Sequence, residues 1–321
     1  MLTDIFHKRY HRRFLFGDGF PNELRKLLNQ AGQIIAQDLF TAVSVKDKIY
    51  KDSHDRLARE YGIGILGEGK TDEEICLRLL FENYDLWNNR HGDQDYFLKM
   101  RLGLIELLFR GAEEYLRKEY KSNDLGMIAS ILSKQTFPKS KSTIEIALLK
   151  FITSVDELNA RFHEANCPFT YHNGYIQLVE DELTDKEIEE PFWRLVSDEK
   201  WKNVDYEMKE AIDRRDAGKE DAVTYALQAL ESTIKIISDE KGWTTGREKG
   251  ALNYIDNLVR SSNGRYIDVW EADAMKHLFS TLRNPRSHGA GSGQRPESHE
   301  QQRIWAIESC MSWIKSLINR K

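Results

Sequence analysis

From Asn22 to Ala42 the apolar residues Leu24, Leu27, Leu28, Ala31, Ile34, Ile35 and Leu39 recur three and four positions apart, which lines one face of a helix. The same spacing returns in Phe97, Met100, Leu104, Leu107, Leu108 and Leu116, and again in Val223, Ala226, Leu227, Leu230, Ile234 and Ile237. Only six prolines interrupt 321 residues, so long helices meet few breaks. A chain patterned this way must bury helix faces against one another. The expected fold class is mainly α: a helical N-terminal domain with a small β-hairpin, followed by a helical bundle.

The spacing predicts helices over 22–42, 46–61, 72–86, 95–120, 123–134 and 142–162. One strand signal stands among them. Phe169–Val179 places two short aromatic or alternating runs on either side of Asn173-Gly174, the pair favoured in a type I′ hairpin turn. His172 in that hairpin is expected to be a cross-strand partner and not a catalyst. The stretches 181–185 and 187–190 are acidic and read as a linker closed by Pro191. Phe192, Trp193, Leu195 and Trp201 then read as an amphipathic helix docking back. The domain boundary is placed near residue 200, giving domains over 1–200 and 201–321. In the second, helices are predicted over 204–217, 219–241, 248–260, 270–282 and 298–318. Ser298 is expected to cap the last, with Gln301 three residues on.

Composition narrows the setting. The net charge of −5 argues against a protein that coats nucleic acid non-specifically, yet leaves room for a local basic site. No apolar run approaches a membrane span, and the first residues have no apolar export signal. Three scattered cysteines, Cys76, Cys167 and Cys310, fit a reducing cytoplasm better than a disulfide framework. Near the start, Lys8, Arg9, Arg12 and Arg13 alternate with Phe6, Tyr10 and Phe14. Two readings stand for that segment: a nucleic-acid-touching arm, or a solvated first helix.

Gly62–Thr71 satisfies both G-x-G-x-x-G and the phosphate-loop form G-x-x-x-x-G-K-T. A phosphate loop needs a buried strand leading in, and here Asp55–Tyr61 is a charged helical surface. Thr71 with Glu73 and Glu74 reads as a helix cap with an acidic first turn. A loop followed by a cap is the expectation, and a nucleotide site the alternative.

The chemistry concentrates at Arg283-Asn284-Pro285-Arg286-Ser287-His288, followed by a glycine-rich run over 289–293. Metal-free RNA cleavage requires a proton taken from the 2′-hydroxyl, charge stabilised at phosphorus and a proton given to the leaving 5′-oxygen. His288 is the side-chain type that titrates near neutrality. Arg283 carries a permanent planar charge that matches phosphate oxygens. Asn284 can orient either group, and Arg286 adds positive charge. Pro285 forces the chain to turn, which could return His288 to the side of Arg283. One histidine supplies one proton-transfer group, and a homodimer would supply two.

Ala229–Lys235, Lys241-Gly242-Trp243 and Arg283-Asn284 through His288-Gly289-Ala290-Gly291 resemble the C-terminal domain of abortive-infection proteins of the HEPN superfamily. Tyr171–Tyr175, preceded by Leu158–Phe162, and the opening Thr3-Asp4-Ile5-Phe6 with Lys8-Arg9 resemble AbiJ-like proteins. The resemblance implies a HEPN-like helical bundle, usually dimeric, with Arg and His pooled in a cleft between protomers. It implies a metal-independent endoribonuclease of antiviral, abortive-infection or toxin–antitoxin type. On that resemblance Arg283, Asn284 and His288 are catalytic, and Arg286, Glu231 and Lys235 lie at the substrate. Glu231 and Lys235 equally form an ordinary helix-face ion pair at i, i+4.

The partners implied are RNA, a second copy of the chain and an antitoxin or phage-derived trigger, with no membrane. No cofactor or metal is expected, and a zinc site from His277, His288 and His299 ranks last because no paired Cys/His spacing supports it. The rival function is a non-catalytic RNA-binding or partner-binding HEPN scaffold.

Overall fold

The predicted helix faces become real elements in a computed structural model that describes residues 5–10, 22–41, 43–84, 94–123, 143–179, 181–283 and 299–320. Packing divides the chain into two units, Met1–Val179 and Glu180–Lys321.

The first unit contains α1 (Phe6–Arg9), α2 (Asn22–Ile34, continued by a π-helical turn over Ile35–Leu39), α3 (Lys46–Tyr61), α4 (Asp72–Phe81), α5 (Gln94–Asn123) and α6 (Thr143–Glu164). The helix expected over 123–134 lies, apart from Asn123, outside the described residues. The six apolar residues predicted for α5 are all buried. Gly111 lets α3 approach, since a Cβ there would stand 2.6 Å from Ile49 Cγ2.

The hairpin forms as predicted: β1 (Phe169–His172) pairs antiparallel with β2 (Tyr175–Leu178), His172 opposite Tyr175. Asn173 and Gly174 have φ of 44° and 89°, the two positive values a type I′ turn demands.

Buried charge ties α1, α5 and the hairpin together. Glu106 of α5 is fully buried and accepts from Arg9 (2.6 Å), Arg110 (2.8 Å) and the backbone amides of Phe6 (3.1 Å) and Ile176 (2.8 Å). The Tyr175 ring lies 4.7 Å from the Arg9 guanidinium and 4.5 Å from that of Arg110. Nearby, the Tyr171 hydroxyl donates to Glu113 at 2.7 Å. Neither reading of the basic opening segment describes these residues: Phe6, Arg9 and Tyr10 are packed into the core. Arg12, Arg13 and Phe14 lie outside the described residues.

The second unit begins with a helical turn at Glu182–Thr184 and a π-helical turn at Asp185–Glu189, leading into α7 (Glu190–Val196). The expected acidic linker is therefore helical. Proline is tolerated in a first turn, and Ile188, Phe192 and Trp193 supply an apolar face that joins this unit's core. Packing thus assigns residues 181–200 to the second unit, whereas sequence placed the boundary near 200.

Next come α8 (Lys202–Asp216), α9 (Ala222–Glu240), α10 (Ala251–Val259), α11 (Val269–Leu278, continued as a π-helical turn over Phe279–Arg283) and α12 (Glu300–Ile318). Helix α9 is central, packing against α8, α10, α12 and the π-helical turn after α11. The last helix starts later than predicted. His299, not Ser298, precedes it, and Gln302 closes the turn by accepting the His299 backbone N–H at 3.3 Å. Ser298 itself lies outside the described residues.

All three cysteines are buried and free, with thiols pushed up to about 12 by burial. Among the described residues no helix is long and apolar enough to cross a membrane.

Candidate functional site

Helix α9 turns a nearly continuous apolar face inward, and Glu231 sits at the edge of that face with its side chain only 9% exposed. One turn on, Lys235 closes an ion pair with it at 2.8 Å and lies 5.7 Å from the Tyr254 ring of α10. Half-buried Glu207 of α8 completes the group, and its Oε2 is buried without a hydrogen-bond partner. Burial raises the Glu207 carboxyl, against the pull of the Ser232 hydroxyl. The Glu231 charge adds to the rise and Lys235 opposes it. The result is a second carboxylate near the Glu231–Lys235 pair, felt by both of its charges.

Sequence reasoning missed Glu207. Its signal was available: Val204, Glu207 and Ala211 share the three-and-four spacing, so a carboxylate falls on the stripe that α8 buries.

The Arg-to-His stretch enters through α11. Leu278 and Phe279 are buried, and the π-helical turn running to Arg283 packs against α9, the helix that carries Glu231 and Lys235. Asn284, Arg286 and His288 lie outside the described residues. So does His288 of the zinc alternative; His277 of α11 approaches Thr281 Oγ1 at 3.4 Å, and His299 heads α12. The described residues thus bring Glu231, Lys235 and Glu207 together.

The glycine loop of the first unit has the geometry of a loop and cap. Helix α3 leads into it through Gly62, which is left-handed (φ 68°). Thr71 accepts from the Glu74 backbone N–H at 3.1 Å, and Glu74 in return accepts from that of Lys70 at 2.9 Å. Gly69 is explained by packing, since a Cβ there would lie 2.7 Å from Ile75 Cγ1.

Beside the loop, His54, Asp55 and Asp72 form a cluster with metal-ligand chemistry. The Leu66 backbone N–H points at His54 Nε2 at 3.3 Å, which assigns the ring proton to Nδ1. Nδ1 then donates toward Asp55 (3.0 Å) and Asp72 (3.4 Å). A metal on Nδ1 would place a proton on Nε2 against that amide. The cluster is a latch for the loop.

Two family models match the chain. The HEPN-like domain covers residues 202–321, and with the helical second unit it defines the class: a protein with a C-terminal HEPN-like helical domain. The AbiJ N-terminal domain 4 model covers 18–194, more than half the chain. The chain belongs to the AbiJ-like family, with an AbiJ-type N-terminal domain followed by a HEPN-like domain. No curated protein and no solved structure matches it.

Proposed function

We infer that the protein is a metal-independent endoribonuclease acting in abortive-infection defence, with Arg283, Asn284 and His288 as its reacting residues. One observation carries the reading: the HEPN-like match spans this stretch together with Glu231 and Lys235. The π-helical turn that delivers Arg283 also packs on the helix bearing that pair.

In the reaction, a base removes the 2′-hydroxyl proton as the 2′-oxygen bonds to phosphorus. The bond from phosphorus to the 5′-oxygen breaks, and an acid protonates that oxygen. His288 moves a proton, Arg283 holds the phosphate charge, Asn284 orients, and Arg286 adds attraction for the strand. Two copies of the chain supply the acid and the base, and RNA is the substrate. A phage-derived trigger or an antitoxin governs when cutting occurs.

Single-stranded RNA incubated in EDTA should yield 2′,3′-cyclic phosphate ends. His288→Ala should lower the rate by about 10²–10⁴-fold. Equal cutting by that variant removes His288 from the chemistry. RNA binding by the wild type without any cleavage assigns the protein to the non-catalytic scaffold class instead.

A further inference from the structure

A cavity of about 450 Å³ opens at the start of α10, and neither Glu231 nor Lys235 lines it. Its acids are already engaged. Glu248 accepts from the Thr245 backbone N–H (3.0 Å) and hydroxyl (2.9 Å), from the Asn257 side-chain amide (3.0 Å) and from the Arg247 backbone N–H (3.1 Å). Those bonds, the Asn257 amide first, hold its carboxyl down at about 2. Asp256 is taken by Lys276 of α11 at 2.5 Å.

The cations of the cavity are left over. Arg247 and Arg260 are both exposed, and among the described residues no carboxylate receives either guanidinium. Asn253 accepts from the Lys249 backbone N–H at 3.1 Å, which turns its N–H₂ group toward other acceptors. Two planar forks and an amide donor around a wet concavity are the donor set that phosphate oxygens require.

Among the described residues no aromatic side chain lines the cavity, so those residues offer no surface on which to stack a base. That donor set suits backbone phosphate better than a nucleobase. Its position fits a strand: the Asp256–Lys276 pair anchors it to α11, and Lys276 precedes Arg283 by seven residues, about 10 Å along a helix axis.

We propose that the cavity formed by Arg247, Asn253 and Arg260 is a phosphate-binding subsite that holds the sugar–phosphate backbone of single-stranded RNA. This rests on the reading of the protein as an RNA-cleaving enzyme, and names where its substrate is gripped beyond the reacting phosphate.

The test uses the full chain carrying His288→Ala, so that RNA is not consumed, with and without Arg247→Ala and Arg260→Ala together. Binding of a short labelled single-stranded RNA is followed by fluorescence anisotropy across a salt series. Losing two phosphate contacts should make the slope of log K against log salt shallower by about 1.4. Binding at low salt should weaken about tenfold, and the double Arg→Lys variant should keep most of the slope. An unchanged slope and affinity overturns the subsite.

Cleavage by the otherwise wild-type chain is scored separately. Cutting with an unchanged slope sinks the subsite and spares the nuclease; a lost slope without cutting does the reverse. An absence of RNA binding sinks both. Displacement of RNA by inorganic phosphate or AMP at matched ionic strength, in the wild-type cavity but not the double Ala variant, would make the ligand a free phosphate and overturn the RNA assignment.

Discussion

In the first unit Glu106 has no exposure to solvent and is gripped by two guanidiniums and two backbone amides. In the second, Glu231 sits at the edge of its helix and answers to Lys235, whose side chain is 43% exposed. A buried ion is tolerated only when every lone pair is met, and breaking such a cluster strands a charge. A pair with one partner largely in water loses less when parted. Charge in the first unit is therefore part of how α1, α5 and the hairpin are assembled. The Glu231–Lys235 pair instead stands at the edge of its helix, with the ammonium where a ligand can reach it.

The sharpest way to break this comparison is Glu106→Ala, which leaves Arg9 and Arg110 buried without their carboxylate. It should cost about 3–5 kcal/mol in chemical denaturation of the first unit. A loss below about 1 kcal/mol would equate it with a surface pair and undo the contrast.

Next in size is a pH effect in the second unit. Burial raises the Glu189 carboxyl to about 8, against the charge of Arg215, 3.8 Å away. Its folded value lies above the unfolded one, so its contribution is fully present below about pH 4.5 and is lost as pH rises through about 8. Asp185, raised by burial to about 6, adds to the lower part of that window. Thermal stability should fall on going from about pH 5 to about pH 8, and Glu189→Gln should flatten the fall. The difference at the upper end is of order a few kcal/mol. A pH-independent melting temperature in the wild type would contradict it.

Tyr171→Phe removes the hydroxyl that donates to Glu113, which Arg117 still holds, and should cost about 1–2 kcal/mol. Smallest is Lys235→Gln, expected at about 0.5–1 kcal/mol because its ammonium is already in water. If Lys235 proved costlier than Tyr171, the Glu231–Lys235 pair would have to be regarded as structural, as the Glu106 cluster is.

Local pattern was legible in the sequence, and distance was not. The α5 face and the Asn173-Gly174 turn rest on neighbours within a few residues, and both formed as predicted. Arg9 finds Glu106 across 97 positions, and no local rule connects them. The acidic composition of 181–190 concealed a helix because the apolar contacts of Ile188 and Phe192 outweigh it. Glu231 with Lys235 was visible as i, i+4 spacing; Glu207 joins them from another helix. Packing separates the units at 179/180, while the family matches change over between 194 and 202. Residues 181–194 thus match the N-terminal family model while packing with the second unit.

The π-helical turn over Phe279–Arg283 continues α11 without a break. A turn of that width takes up one additional residue, so Arg283 at its end is advanced by about 100° relative to an uninterrupted α-helix. Ala272, Met275 and Leu278 fix which side of α11 is buried, but the chain leaves at Arg283 with a phase of its own. The number of residues in that turn, as much as their identity, therefore decides where around the helix axis Arg283 falls.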